Sequence, residues 1–107
     1  MSFFRAGKGG SAGNAIGVLT NITLIGADND RTITVSEVDK IDSVFFKFKD
    51  FPTGAYGWAS NVDNNFLSVA YGQPSHGVRS INGNQFRFTW NSAPDYQVDF
   101  YIVGEKN

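Results

Sequence analysis

Three segments of the chain alternate between apolar and polar side chains over most of their length. They are SVFFKFKDF at 43–51, QFRFTWN at 85–91 and YQVDFYIVG at 96–104. Successive side chains of a β-strand point to opposite faces of its sheet, so this period of two predicts strands with one buried face each. The residues predicted to be buried are Val44, Phe46 and Phe48 in the first segment, Phe86, Phe88 and Trp90 in the second, and Tyr96, Val98, Phe100 and Ile102 in the third.

Shorter runs elsewhere in the chain follow the same pattern. The segment AIGVLTNITLIG at 15–26 is β-branched and apolar, which predicts one strand or a pair of strands. RTITVSEV at 31–38 places Ile33 and Val35 on one face, and NFLSVAYG at 65–72 places Leu67, Val69 and Tyr71 on one face. VSEVDKIDSV at 35–44 has apolar residues three apart, but it is short and we expect a loop or a single turn.

Turn residues separate these runs. ADND at 27–30 and SAPD at 92–95 have turn chemistry, and QPSHGVRSINGN at 73–84 is predicted to be a long loop holding an Asn-Gly turn signal. Six to seven short strands divided by turns are typical of an all-β protein. We therefore expect an antiparallel β-sandwich of about six to seven strands.

The first fourteen residues, MSFFRAGKGGSAGN, have a different composition and predict an N-terminal Gly-rich arm ahead of a sandwich domain at 15–107. Arg5 and Lys8 give residues 1–27 a charge of +2, whereas residues 28–107 carry 7 basic and 10 acidic residues and hence −3. We expect the arm to be flexible and to mediate assembly with neighbouring subunits, with Phe3 and Phe4 as apolar anchors beside the two cations.

Composition argues against several functional classes. The net charge of −1 offers no footprint for nucleic acid, and no run reaches the roughly 18 apolar residues of a membrane span. There is no cysteine, so disulfides and Cys-based zinc sites are absent. The N-terminus lacks the long apolar stretch of a secretory signal, so we expect synthesis in a host cytoplasm, with neither nucleic acid nor membrane as a partner.

No catalytic or cofactor-binding motif is complete. A P-loop needs Gly-Lys-Ser/Thr after an earlier glycine, but Gly7-Lys8 precedes Gly9, and Ser2 stands at the position of the first glycine. Read as a calcium loop, Asp28 onward has Ile33 at position six and Asp39 at position twelve, where Gly and Glu are required. We therefore expect no enzyme, no metal and no cofactor.

The aromatic residues are the stronger functional lead. FPTGAYGWASN at 51–61 places Phe51, Tyr56 and Trp58 in a Gly/Pro-containing segment, where aromatics can stack on sugar rings or anchor a protein partner. For Trp58 the favoured interpretation is that it begins a strand and belongs to the core. Tyr101 points outward by alternation and suits an interface. His76, the single histidine, is a candidate contact, but a solvated loop histidine is the favoured interpretation.

The last third, INGNQFRFTWNSAPDYQVDFYIVGEKN, resembles the closing hairpin of small phage tail and fibre domains, including H-type lectin-like ones. The matching positions are Phe86, Phe88, Val98, Phe100, Ile102 and Gly104, and IDSVFFKFKDFP at 41–52 is similar to an early strand of those domains. The resemblance spans about residues 41–104, mostly at core and turn positions. It implies a trimer-forming β-sandwich that binds amino sugars; the sugar-binding residues of that family have no residue-by-residue counterpart here.

Together these features predict a non-enzymatic phage virion structural protein of the tail, baseplate or fibre. It would form a homo-oligomer, as a trimer, and contact other virion proteins. The alternatives are a capsid decoration protein and a carbohydrate-binding adhesin that recognises a host-surface glycan.

Overall fold

The computed structural model describes residues 14–24, 28–49, 55–72, 76–90 and 95–107. These residues form eight β-strands and no helix. In chain order the strands are β1 (Asn14–Leu24), β2 (Asp30–Thr34), β3 (Lys40–Phe48), β4 (Tyr56–Val62), β5 (Asn65–Tyr71), β6 (Gly77–Asn82), β7 (Gln85–Thr89) and β8 (Tyr96–Lys106).

The strands form two antiparallel sheets that pack as a sandwich. The larger sheet has the order β1-β8-β3-β4-β5 and the smaller one β2-β7-β6. Every neighbouring pair is antiparallel. Ser68 of β5 donates a hydrogen bond of 2.9 Å to the Val78 carbonyl of β6, which ties the two sheets together. The predicted fold class is confirmed.

The strand prediction differs from the structure at β6. The segment 73–84 was expected to be one long loop, but residues 77–82 form a strand that pairs with β7. A bulge between Val78 and Ser80 shifts the register. An extra residue in a strand breaks the period of two, and this hides the strand from a search for alternation. Residues 15–24 lie in a single strand, β1. Of the loop or turn expected at 35–44 only residues 35–39 form one, because β3 begins at Lys40.

The core lies between the sheets and is dominated by phenylalanine. All ten residues of the three alternating segments that were predicted to be buried are at most 7% exposed. Phe88 of the small sheet meets Phe46 and Phe100 of the large one edge-on, with ring centroids 4.9 and 5.2 Å apart. Edge-to-face packing of this kind adds to the burial of apolar area.

Two hairpins close on residues with positive φ. Gly83 has φ of 61° in the two-residue link between β6 and β7, which is where the sequence predicted an Asn-Gly turn. Asp63 and Asn64, between β4 and β5, have φ of 55° and 63°. Two successive positive φ values define a type I′ turn, which matches the twist of the strands it joins.

Asn14, the last residue of the predicted arm, is the first residue of β1 and pairs with Lys106. Phe3, Phe4, Arg5 and Lys8 lie outside the described residues, as does Phe51. Their proposed roles stay predictions.

Candidate functional site: an aromatic sheet face

The outer faces of the two sheets differ in chemistry. On the small sheet, neighbouring strands are joined by polar side chains. Arg87 forms a bidentate ion pair with Asp30, with an N–O distance of 2.6 Å. Arg79 donates to the Thr89 hydroxyl at 2.7 Å, and Gln85 donates to that of Thr34 at 3.1 Å. Such a face is well solvated.

The outer face of the five-stranded sheet carries a row of apolar residues instead. The register aligns one residue from each strand across the whole sheet. We call this set the central row; it consists of Leu19, Tyr101, Phe45, Trp58 and Val69, on β1, β8, β3, β4 and β5 respectively. A second aligned pair, Tyr56 and Tyr71, lies beside it on β4 and β5.

The rings on this face contact one another in a continuous array. Phe45 and Trp58 are parallel within 2°, with centroids 6.4 Å apart, and Tyr101 meets Phe45 edge-on at 6.0 Å. Tyr56 stacks on Tyr71 at 5.1 Å. Tyr71 also approaches Trp58 at 5.8 Å, and Phe45 approaches Tyr56 at 6.3 Å. The array holds its rings in place through mutual contact.

The outer face of the five-stranded sheet, which we call the aromatic face, exposes a large apolar area to water. Of the nine exposed large hydrophobic residues in the described ranges, eight lie on it: Leu19, Phe45, Tyr56, Trp58, Val62, Leu67, Tyr71 and Tyr101. A large apolar side chain has an area of roughly 200 Å², and about half of it is exposed in each of these residues. The eight side chains together therefore expose about 800 Å² of apolar surface. The largest apolar patch on a typical monomer is about 300–600 Å², so the size indicates an interaction surface.

One end of this face is acidic. Asp42, Asp63 and Glu105, together with Lys40, line a depression of about 450 Å³ that Val62 and Val103 also border. We call this the acidic end. A bulge between Ile41 and Ser43 brings Asp42 to the outer side of the sheet. Partial burial and then the neighbouring carboxylate of Glu105 raise the pKa of Asp42, against the opposing effect of Lys40 at 3.9 Å.

The structure assigns the predicted contact residues to different environments. Trp58 and Tyr56 are 39% exposed and Tyr101 is 41% exposed, so all three lie on the aromatic face. The expected outward orientation of Tyr101 is confirmed. Trp58 does lie in a strand as favoured, but the favoured assignment of its side chain to the core is wrong, because β4 directs Gly57 and Ala59 inward and Trp58 outward.

His76 is the main correction. A solvated loop histidine was favoured, but the residue is 0% exposed. Its ring stacks on Phe48 with centroids 4.5 Å apart and meets Tyr96 at 5.5 Å. Burial lowers the pKa of the imidazole. His76 precedes β6, whose start places it over the aromatic core, so it is not a surface contact in this structure.

Sequence reasoning missed several members of the aromatic face as site residues, including Phe45, Tyr71 and Leu19. Phe45 does carry a signal, because it is an aromatic on the side of SVFFKFKDF that also holds Ser43, Lys47 and Lys49. Its alignment with Trp58 and Tyr101 depends on strand order, which local alternation does not reveal.

In the part of the chain that the structure describes, no group of three or more His, Cys, Asp or Glu residues is arranged to hold a metal ion. Nor do the described ranges include a helix long and apolar enough to cross a membrane. The geometry thus defines an antiparallel β-sandwich with one polar and one aromatic outer face. No family model, no curated protein and no solved structure matches this chain.

Proposed function

We propose that this protein is a non-enzymatic structural subunit that works by packing its aromatic face against other proteins. The observation that carries the proposal is the exposed apolar area of that face, about 800 Å². A standard protein–protein interface takes about this area from each partner. Its centre combines Trp and Tyr, the residues that dominate the energetics of such interfaces.

The assembly proposed is a phage virion, in the tail, baseplate or fibre, or on the capsid as a decoration protein. This narrower assignment is supported by the resemblance of residues 41–104 to small tail and fibre domains. The arm at 1–14 would add contacts to neighbouring subunits through Phe3, Phe4, Arg5 and Lys8. The resemblance implies a homotrimer, but nothing in the geometry of the aromatic face calls for three-fold symmetry.

The test is to identify the proteins of purified particles from the source culture by mass spectrometry. We expect peptides of this chain in many copies per particle, and a chain lacking residues 1–13 to be incorporated less. Recovery of the chain only from the soluble fraction, with none in particles, would contradict the virion assignment.

Carbohydrate binding is a second candidate, favoured by the near-parallel rings of Phe45 and Trp58. Aromatic side chains offer apolar faces that suit sugar rings. A glycan array tests this with the wild-type protein and the Trp58→Ala and Tyr56→Ala variants. A glycan signal that both variants retain would exclude these residues as the sugar site.

A further inference from the structure

The apolar area of the aromatic face matches the contribution of one subunit to a dimer. Eight side chains on the face expose about 800 Å² in total, and a stable interface buries about 800 Å² per partner. The central row contains no charged residue, as expected at the middle of an interface. We infer that a second copy of this chain covers the aromatic face, sheet against sheet, about a two-fold axis that runs along the central row.

The inference rests on the proposed function and names the partner of the aromatic face. Two-fold symmetry requires the same patch on both subunits to be self-complementary. An axis along the central row places Phe45, on the middle strand of the sheet, against the partner's Phe45. The other members of the row then meet their own equivalents, so aromatic and aliphatic residues pack together across the whole interface.

Charge selects this axis over one that runs along the strands. The acidic end holds three carboxylates and one ammonium, from Asp42, Asp63, Glu105 and Lys40. At the opposite end, Lys47 and Asp99 are register partners. Lys49 directly follows β3 and Asp95 directly precedes β8 at this same end, which therefore carries two cations and two anions.

An axis along the central row brings each acidic end to the partner's lysine-bearing end. An axis along the strands would instead set the two acidic ends against each other. Like charges placed together in an interface are costly, so the axis along the strands is disfavoured, whereas the axis along the central row sets each acidic end against an end whose two cations and two anions cancel. The preferred pairing is therefore the one in which the strands of the two copies run in opposite directions.

The first measurement is the solution mass of the full chain by sedimentation equilibrium. We expect a dimer. The Trp58→Ser/Tyr101→Ser variant should raise its dissociation constant by about 100-fold or more, since truncating a central aromatic is characteristic of a hot spot. Leu19→Lys/Leu67→Lys is a second variant. These side chains are 65% and 67% exposed, so replacing them should change the stability of the isolated subunit little.

The control variant is Thr32→Lys, which adds charge to the polar outer face of the small sheet and should leave the mass unchanged. A wild-type monomer or trimer would overturn the inference. A dimer whose dissociation constant is unaffected by both aromatic-face variants would overturn it equally. Neither result says whether virus particles contain the chain. The proposed function is tested separately, by mass spectrometry of purified particles.

The second measurement tests the axis and uses the absence of native cysteine. A Leu19→Cys variant is treated with a short bismaleimide. With the axis along the central row, Leu19 faces its own equivalent across the interface, and a covalent dimer should form. With the axis along the strands, the two positions would be four strand spacings apart, about 19 Å, and no dimer should form.

Thr32→Cys is the matched control, because its side chain is exposed on the other sheet. Cross-linking of Leu19→Cys to dimer, with Thr32→Cys remaining monomeric on a denaturing gel, supports the inference. Equal cross-linking of both variants, or of neither, would overturn it.

Discussion

Phe45 and Trp58 lie opposite each other on β3 and β4, with ring planes parallel within 2° and centroids 6.4 Å apart. Both rings are 39% exposed, although their strand neighbours Phe46 and Ala59 are fully buried. The two rings anchor an array that covers one outer face of the sandwich.

The adjacent residues Phe45 and Phe46 should respond very differently to truncation. Phe46→Ala is expected to lower the free energy of unfolding by about 3–5 kcal/mol, because it removes a buried ring and leaves a cavity. Phe45→Ala should cost about 1 kcal/mol or less in the isolated subunit, since its ring is partly solvated. Urea denaturation of both variants checks this, at a protein concentration where the chain is monomeric; similar losses in the two would contradict it.

Gly57 is expected to be irreplaceable for steric reasons. A Cβ there would overlap the Val69 carbonyl oxygen and lie 2.7 Å from Cζ of Phe46. Gly57→Ala should therefore destabilise the fold by about 2–3 kcal/mol, as overpacking in a rigid core does. Gly77→Ala is the matched control, because the nearest atoms to its Cβ are 3.8 Å away. Thermal unfolding of both variants tests the difference, and equal midpoints would refute it.

His76 should make the stability of the fold sensitive to acid. Burial lowers the pKa of the imidazole in the folded state, whereas the unfolded chain keeps the ordinary value of 6.5. The unfolded state then binds more protons below that pH, so stability falls as the pH drops from 6.5 toward the lowered folded pKa. Urea unfolding between pH 8 and 5 measures the slope.

The His76→Phe variant isolates this contribution, since it keeps an aromatic ring between Phe48 and Tyr96 and removes the titration. Its stability should depend less on pH over the same interval. A slope unchanged from wild type would assign the acid sensitivity to other groups.

The contribution of Asp42 to stability should change with pH in the opposite direction to that of His76. Partial burial and the neighbouring Glu105 raise the pKa of Asp42 in the folded state, so the folded protein binds the proton more tightly than the unfolded chain does. Its contribution is lost as the pH rises above 3.8 through the raised folded pKa. Asp42→Asn is therefore expected to raise the thermal midpoint at pH 7.

The Asp63→Asn variant is the control for this prediction. It removes a carboxylate from the same end of the sheet, and asparagine tolerates the positive φ of that turn position. Its midpoint at pH 7 should change little. A larger gain from Asp63→Asn than from Asp42→Asn would show that the general charge of the acidic end matters more than the pairing with Glu105.

Alternation along the chain by itself determined the fold class and most of the core. Phe86, Phe88 and Trp90, for example, are buried as their spacing of two predicts, because a strand with one solvated face must divide its residues this way. The same argument identified Tyr101 as outward-facing. These conclusions depend only on neighbours in sequence.

Only the tertiary structure decided which outward residues stand together. Leu19, Tyr101, Phe45, Trp58 and Val69 come from five strands that include the first and the last of the chain, and strand order with register brings them into one row. The burial of His76 was likewise decided by packing, since turn residues around it indicated solvent while the core covers its ring. Alternation specifies the face on which a side chain lies, but the contacts between strands specify its neighbours, and the aromatic face consists of those contacts.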